Sequence, residues 1–74
     1  NPSTMIKFAV ANSGFTTLKV YNMLGQEVAT LVNDNLQAGT YTVDFNASNL
    51  NSGIYVYELR SGAVKIAKKM MLVK

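Results

Sequence analysis

The sequence is that of an all-β, antiparallel sandwich. Apolar and polar residues alternate with period 2 along most of the chain, which sends one face of each segment to a core and the other to water. Turn-forming residues interrupt this alternation at short intervals, as they do in sandwiches and barrels. No segment carries the spacing of an amphipathic helix.

The first strand is expected over Thr4 to Val10, with Ile6, Phe8 and Val10 on one face and Lys7 and Ala9 on the other. Pro2 precedes it, where a missing N–H does least harm, and Asn12-Ser13-Gly14 turns the chain. A second strand, Phe15 to Tyr21, sends Leu18 and Val20 inward and Thr17, Lys19 and Tyr21 outward. The chain reverses at Asn22-Met23-Leu24-Gly25, where Gly25 supplies a positive φ. The third strand, Glu27 to Val32, loses strict alternation at Val28, Leu31 and Val32; a bulge or bend is expected near Ala29-Thr30.

Asn33 to Gly39 is polar and reads as a surface loop. Thr40 to Asn46 follows as a strand with Tyr41, Val43 and Phe45 on one face. Ala47 to Gly53 is too short for a strand with its turns, so a turn or one helical turn that tucks Leu50 under the sheet is expected. Ile54 to Arg60 is the next strand, with Tyr55, Tyr57 and Leu59 toward the core, and Ser61-Gly62 suits a two-residue hairpin loop. The last run keeps alternation through Val64, Ile66, Lys68, Met70 and Leu72, but Lys68 interrupts the apolar stripe. A kink at Lys68-Lys69 would split it in two and bring the count to about seven strands, the number in a minimal immunoglobulin-like sandwich.

At 74 residues the chain has room for one small domain, burying roughly 60% of the surface its unfolded chain exposes. It has no Cys and no His, so neither a disulfide nor a zinc site can staple it, and a hydrophobic core must do that work. With 49% hydrophobic and 15% charged residues it lies far from disordered compositions. A net charge of +3 with one Arg does not make the dense, aromatic-interleaved basic stripe of a nucleic-acid binder. No apolar run reaches the roughly 20 residues of a membrane helix, and the first residues lack a signal-peptide core; if the domain is secreted, any leader lies upstream on a larger parent chain.

Catalysis has little to work with. Nucleophilic and acid–base mechanisms rely on a tuned titratable group, and the only acids are Glu27, Asp34, Asp44 and Glu58. Asp44 and Glu58 face outward and read as solvated surface charges rather than a glycosidase pair. Asn33-Asp34-Asn35 offers three oxygen-bearing side chains where calcium gathers six or more ligands, so turn chemistry accounts for it better. Asn46-Ala47-Ser48 matches the glycosylation pattern, a motif short enough to recur by chance. The glycines form no phosphate cradle. No catalytic residue, metal site or cofactor is assigned. Tyr55 and Tyr57 share the phase of Leu59 and are read as core rather than as a platform for sugar or peptide.

The informative part is the end. Gly53-Ile-Tyr-Val-Tyr-Glu-Leu-Arg60-Ser-Gly62 runs into Ala63 to Lys74, and Met70-Met71-Leu72-Val73 lie beside the last residue, so the sequence reads as closing inside a strand. Arg60, Lys65, Lys68, Lys69 and Lys74 gather here with Glu58 as the only nearby acid. Such an end is either packed into the fold or offered to a partner. Lys68-Lys69 has a protective reading too, since lysine on an edge strand discourages aggregation.

The order Asn1-Pro2-Ser3-Thr4-x-Ile6-Lys7-Phe8, then Leu18-Lys-Val-Tyr-Asn-x-Leu24-Gly25-Gln-Glu-Val-Ala-Thr-Leu-Val32, then Ala38-Gly-Thr-Tyr41, Gly53-Ile54-Tyr55 and Lys68-Lys69-Met70 resembles the type A C-terminal sorting domains of the bacterial type IX secretion system. The resemblance spans essentially the whole chain. A broader relative is the immunoglobulin-like domain of flagellar hook-capping proteins.

The resemblance implies that residues 1–74 are the last domain of a larger secreted cargo, and that they direct the cargo from the periplasm through the outer membrane to the surface or medium. It implies an outer-membrane shuttle and a surface sortase as partners. Recognition on the last strands would put forward Gly53, Tyr55, Gly62, Lys68, Lys69, Met70, Leu72 and Lys74. Two other roles are read from the residues. One is a structural immunoglobulin-like module or filament subunit that self-associates through edge strands. The other is a carbohydrate-binding module using Tyr21, Tyr55 and Tyr57.

Overall fold

The structure, a computed structural model, describes residues 3–73. Six strands account for nearly all of them: β1 (Ser3–Val10), β2 (Gly14–Tyr21), β3 (Glu27–Leu36), β4 (Gly39–Asn46), β5 (Gly53–Ser61) and β6 (Val64–Leu72). β1 and β4 form a two-stranded sheet, which faces a four-stranded sheet of order β3-β2-β5-β6. All pairings are antiparallel.

The alternation of apolar residues builds the core where it was expected. Ile6, Phe8, Val10 and Phe45 come from the small sheet, and Leu18, Val20, Tyr55, Leu59 and Leu72 from the large one; all are buried in one cluster. Leu18 and Val20, on the central strand β2, expose nothing. Phe8 opposes Tyr41 across β1 and β4, and their rings stack with centroids 5.5 Å apart, the kind of cross-strand pair that stabilises a sheet beyond area burial. Thr16 is fully buried as well. Its hydroxyl lies 3.2 Å from the Gly14 carbonyl and 3.2 Å from the Ser61 hydroxyl, so the polar group carries no unmet desolvation cost.

The turn between β2 and β3 is built around Asn22. Its side-chain oxygen accepts from the backbone N–H of Leu24 and of Gln26, each at 3.0 Å, and its amide donates to Gln26 Oε1 at 2.8 Å. Gly25 takes φ 83°, a left-handed value that a side chain would oppose, and donates its N–H to the Asn22 carbonyl. Replacing Asn22 by Ala removes three of these bonds at once. We expect it to cost about 1–2 kcal/mol, whereas Leu24→Ser, at a side chain 84% exposed, should stay within about 0.5 kcal/mol; urea unfolding of the two variants checks the contrast.

Several expectations are corrected. The strands number six, not seven, among the described residues, because β6 runs unbroken from Val64 to Leu72. Lys68 keeps its place in the ladder opposite Tyr57; at an edge of the large sheet its ammonium reaches water without a kink. Residues 33–36 are strand rather than loop. Asn33, Asp34 and Asn35 pair with Thr17, Thr16 and Phe15, and an edge strand tolerates polar side chains while its backbone bonds are met. The irregularity expected near Ala29-Thr30 is present: register shifts put the extra residues at Leu31 and Val28, one on either side of that step.

The final hairpin also differs. Ser61 pairs with Val64, so the loop is Gly62-Ala63 rather than Ser61-Gly62. Gly62, at φ 58°, occupies the first central position, where a type II′ turn calls for glycine. Arg60 therefore faces Lys65 and not Ala63, and every partner along the hairpin moves by two residues. The last strand ends at Leu72, and Val73 lies beyond it. Leu50 is half-buried against the core, as expected, in a turn closed by its N–H donating to the Ala47 carbonyl.

Candidate functional site

The residues singled out at the end of the chain converge on one ribbon, the β5–β6 hairpin. Gly53 pairs with Leu72, Tyr55 with Met70, Val56 with Lys69 and Tyr57 with Lys68. Gly62 shapes the turn at the far end. Lys74 lies outside the described residues.

Inward and outward phases of the ribbon do different work. Tyr55 and Leu72 are buried and Met70 is half-buried, so they clamp the ribbon to the sandwich. The Tyr55 hydroxyl donates to the Asn51 carbonyl at 2.7 Å, fixing the ring to the β4–β5 connection. Lys69 and Met71 share the outer face. Met71 is 71% exposed and, with Ile54, Lys69 and Met70, lines a shallow apolar dent of ≈ 150 Å³. Ile54 and Met71 were not singled out from the sequence. They face each other only in the observed register, which follows from the position of the turn; a loop at Ser61-Gly62 would have put Lys69 opposite Ile54.

β6 is an edge strand: β5 holds one of its sides and, among the described residues, no strand holds the other. Along the nine residues of Val64–Leu72 the N–H and C=O groups of alternate residues therefore point to the open side, a template for pairing with another chain. Its charges are unevenly satisfied. Lys65 sits 3.6 Å and Arg60 2.9 Å from Glu58. Lys68 and Lys69 form no ion pair among the described residues.

The Glu58 carboxylate is disfavoured by partial burial, but the Arg60 hydrogen bond and the charges of Arg60 and Lys65 outweigh this and hold its carboxyl below the ordinary value. Glu27 is lowered too, first by the hydroxyl of Thr30, which donates at 2.6 Å, and then by Lys19. A group whose folded value is depressed stabilises above its unfolded value and loses that contribution as pH falls through the folded one. Stability should accordingly decline as pH drops from about 5 toward 3, and Glu58→Gln should flatten part of that decline; thermal melts across this range measure both.

The other candidate groupings do not assemble. Tyr21 pairs with Val56 and so faces opposite to Tyr55 and Tyr57, which leaves no common platform. Asp44 lies on the small sheet, paired with Met5, and Glu58 on the large one, so the two carboxylates belong to different sheets. Among the described residues no group of three His, Cys, Asp or Glu could hold a metal ion.

Comparison with curated proteins and with solved structures gives no match. A family model described as the secretion system C-terminal sorting domain matches residues 1–74, the full length over which the ordered motifs run. The chain belongs to this family, the C-terminal sorting signals of type IX secretion.

Proposed function

We propose that the domain is a non-catalytic address label, the last domain of a larger cargo, which takes that cargo from the periplasm across the bacterial outer membrane to the cell surface or the medium. Its partners on this reading are an outer-membrane shuttle that receives it and a surface sortase that processes it. Recognition falls on the terminal ribbon. Lys68, Lys69 and Lys74 supply charge and Met70 an apolar contact, while Gly53, Tyr55, Gly62 and Leu72 hold the ribbon in shape.

One observation carries this reading beyond family membership. β6 combines an unpaired edge with unpaired lysines and exposed apolar side chains, Met71 and Val73, at its end. A receptor can pair with such a strand through main-chain hydrogen bonds and choose it by its side chains. No second reading is favoured over this one.

The test is delivery of a cargo fused ahead of the domain in a bacterium with a working type IX system. Deleting Met70 to Lys74 is expected to leave the cargo in the periplasm. Because that deletion also removes buried Leu72, the pair Lys68→Glu and Lys69→Glu, both at exposed positions, is assayed beside it. Normal surface delivery by both variants would defeat the proposal.

A further inference from the structure

A two-stranded sheet cannot cover a four-stranded one, and the shortfall lies beside β1. One side of β1 pairs with β4; its other side carries no strand among the described residues. Between that free edge and the inward face of β6 runs a cleft. Its larger part, ≈ 430 Å³, is walled by Ala9 and Ala11 and floored by Leu59, Val64 and Ile66. A second part, ≈ 190 Å³, shares Ala9, Leu59 and Ile66 and ends between Lys7 and Lys68.

The floor is apolar and uncovered. Val64 and Ile66 lie on the same phase of β6 as Leu72, yet each is 44% exposed where Leu72 is 7% exposed. At the other end of the cleft neither Lys7 nor Lys68 forms an ion pair among the described residues.

We propose that this cleft receives an extended strand from another protein, apolar at alternate residues toward one end and acidic toward the other. Its backbone adds to β1 as a third strand of the small sheet, its apolar side chains cover Val64 and Ile66, and its carboxylates meet Lys7 and Lys68. Main-chain pairing gives such a complex affinity, and the side chains give it direction. A second copy of this chain fits poorly. Its β1 carries no acid, its β6 is basic, and the inward apolar residues of its β2, β3, β4 and β5 already lie in or pack against its own core, while Glu27 of its edge strand β3 is held by Lys19. The inference stands on the cleft alone and does not depend on the sorting role.

The probe is a synthetic octapeptide of alternating valine and threonine with two glutamates at one end, made in both chain directions, and a counterpart with lysines in place of the glutamates. Titrated to millimolar concentration into the isotope-labelled domain, one direction of the glutamate peptide should shift the amides of residues 7–11 and 64–68. It should bind at least about tenfold tighter than the lysine counterpart at low salt, and high salt should erase the difference. The double variant Lys7→Glu, Lys68→Glu should reverse the preference; if it does not fold, the salt dependence in the unaltered chain still decides. Absence of shifts, shifts confined to the edges of β3 or β4, or equal affinity for both peptides overturns the proposal. So does sedimentation showing a dimer that occupies β1, or a chain extended by its native upstream residues in which those residues already fill the cleft.

Discussion

Leu18→Ala is expected to be the most damaging single truncation. Leu18 sits on β2, one of the two inner strands of the large sheet, and exposes nothing. It pairs with Val32 on one side and Leu59 on the other, while the small sheet closes over it. Loss of buried methyl groups together with the residual cavity costs about 2–5 kcal/mol in such settings. A domain of this length has about 4–11 kcal/mol of stability in total, and neither a disulfide nor a second core makes up the loss. The variant should melt roughly 8 °C lower or more, since about 1 kcal/mol moves the midpoint of a domain this size by roughly 4–8 °C. A midpoint within a few degrees of the parent would contradict the packing described.

The second large effect separates holding the ribbon from reading it. Leu72→Ala removes the last buried side chain of β6, the one that pins the end of the ribbon opposite Gly53, and should cost about 2–4 kcal/mol. Met71→Gln, one residue earlier on the solvent face, should change stability by no more than about 0.5 kcal/mol. If the exposed face of the ribbon is what a receptor reads, Met71→Gln lowers delivery of the fused cargo while the melting curve stays in place. Leu72→Ala lowers both. Equal delivery by parent and Met71→Gln would move recognition off Met71, to the lysines or to the free backbone of β6.

Much of the fold was legible before the structure, and for one reason. Side-chain direction in a strand follows from position alone, so the inward sets Ile6-Phe8-Val10, Leu18-Val20, Tyr41-Val43-Phe45 and Tyr55-Tyr57-Leu59 could be read without knowing which strand lies beside which. The Asn22–Gly25 turn was readable for a similar reason, since its hydrogen bonds are local and its φ requirement is met by one glycine. What failed involved choices between neighbours. The polar run at residues 33–36 became strand because Phe15, Thr16 and Thr17 offered it a ladder, and composition carries no trace of that offer. Gly62 was correctly placed in the last turn, yet whether Ser61 or Ala63 shares the loop depends on how Val64, Ile66 and Leu72 seat against the other strands. Ile54 and Met71 escaped notice for the same reason, as their meeting follows from that register.

The amino-acid order by itself determined the class of fold, the faces of the strands, the lack of a disulfide or zinc staple and the gathering of lysines at the end. These are properties of short windows and of inventory. Only the tertiary structure decided that a two-stranded sheet faces a four-stranded one and leaves part of it open, that β6 is an edge, and that Lys7 and Lys68, far apart in sequence, stand at one end of an apolar cleft. Strand partnership is a long-range choice, set by which arrangement buries the most apolar surface while meeting every backbone hydrogen bond. No local pattern encodes its outcome.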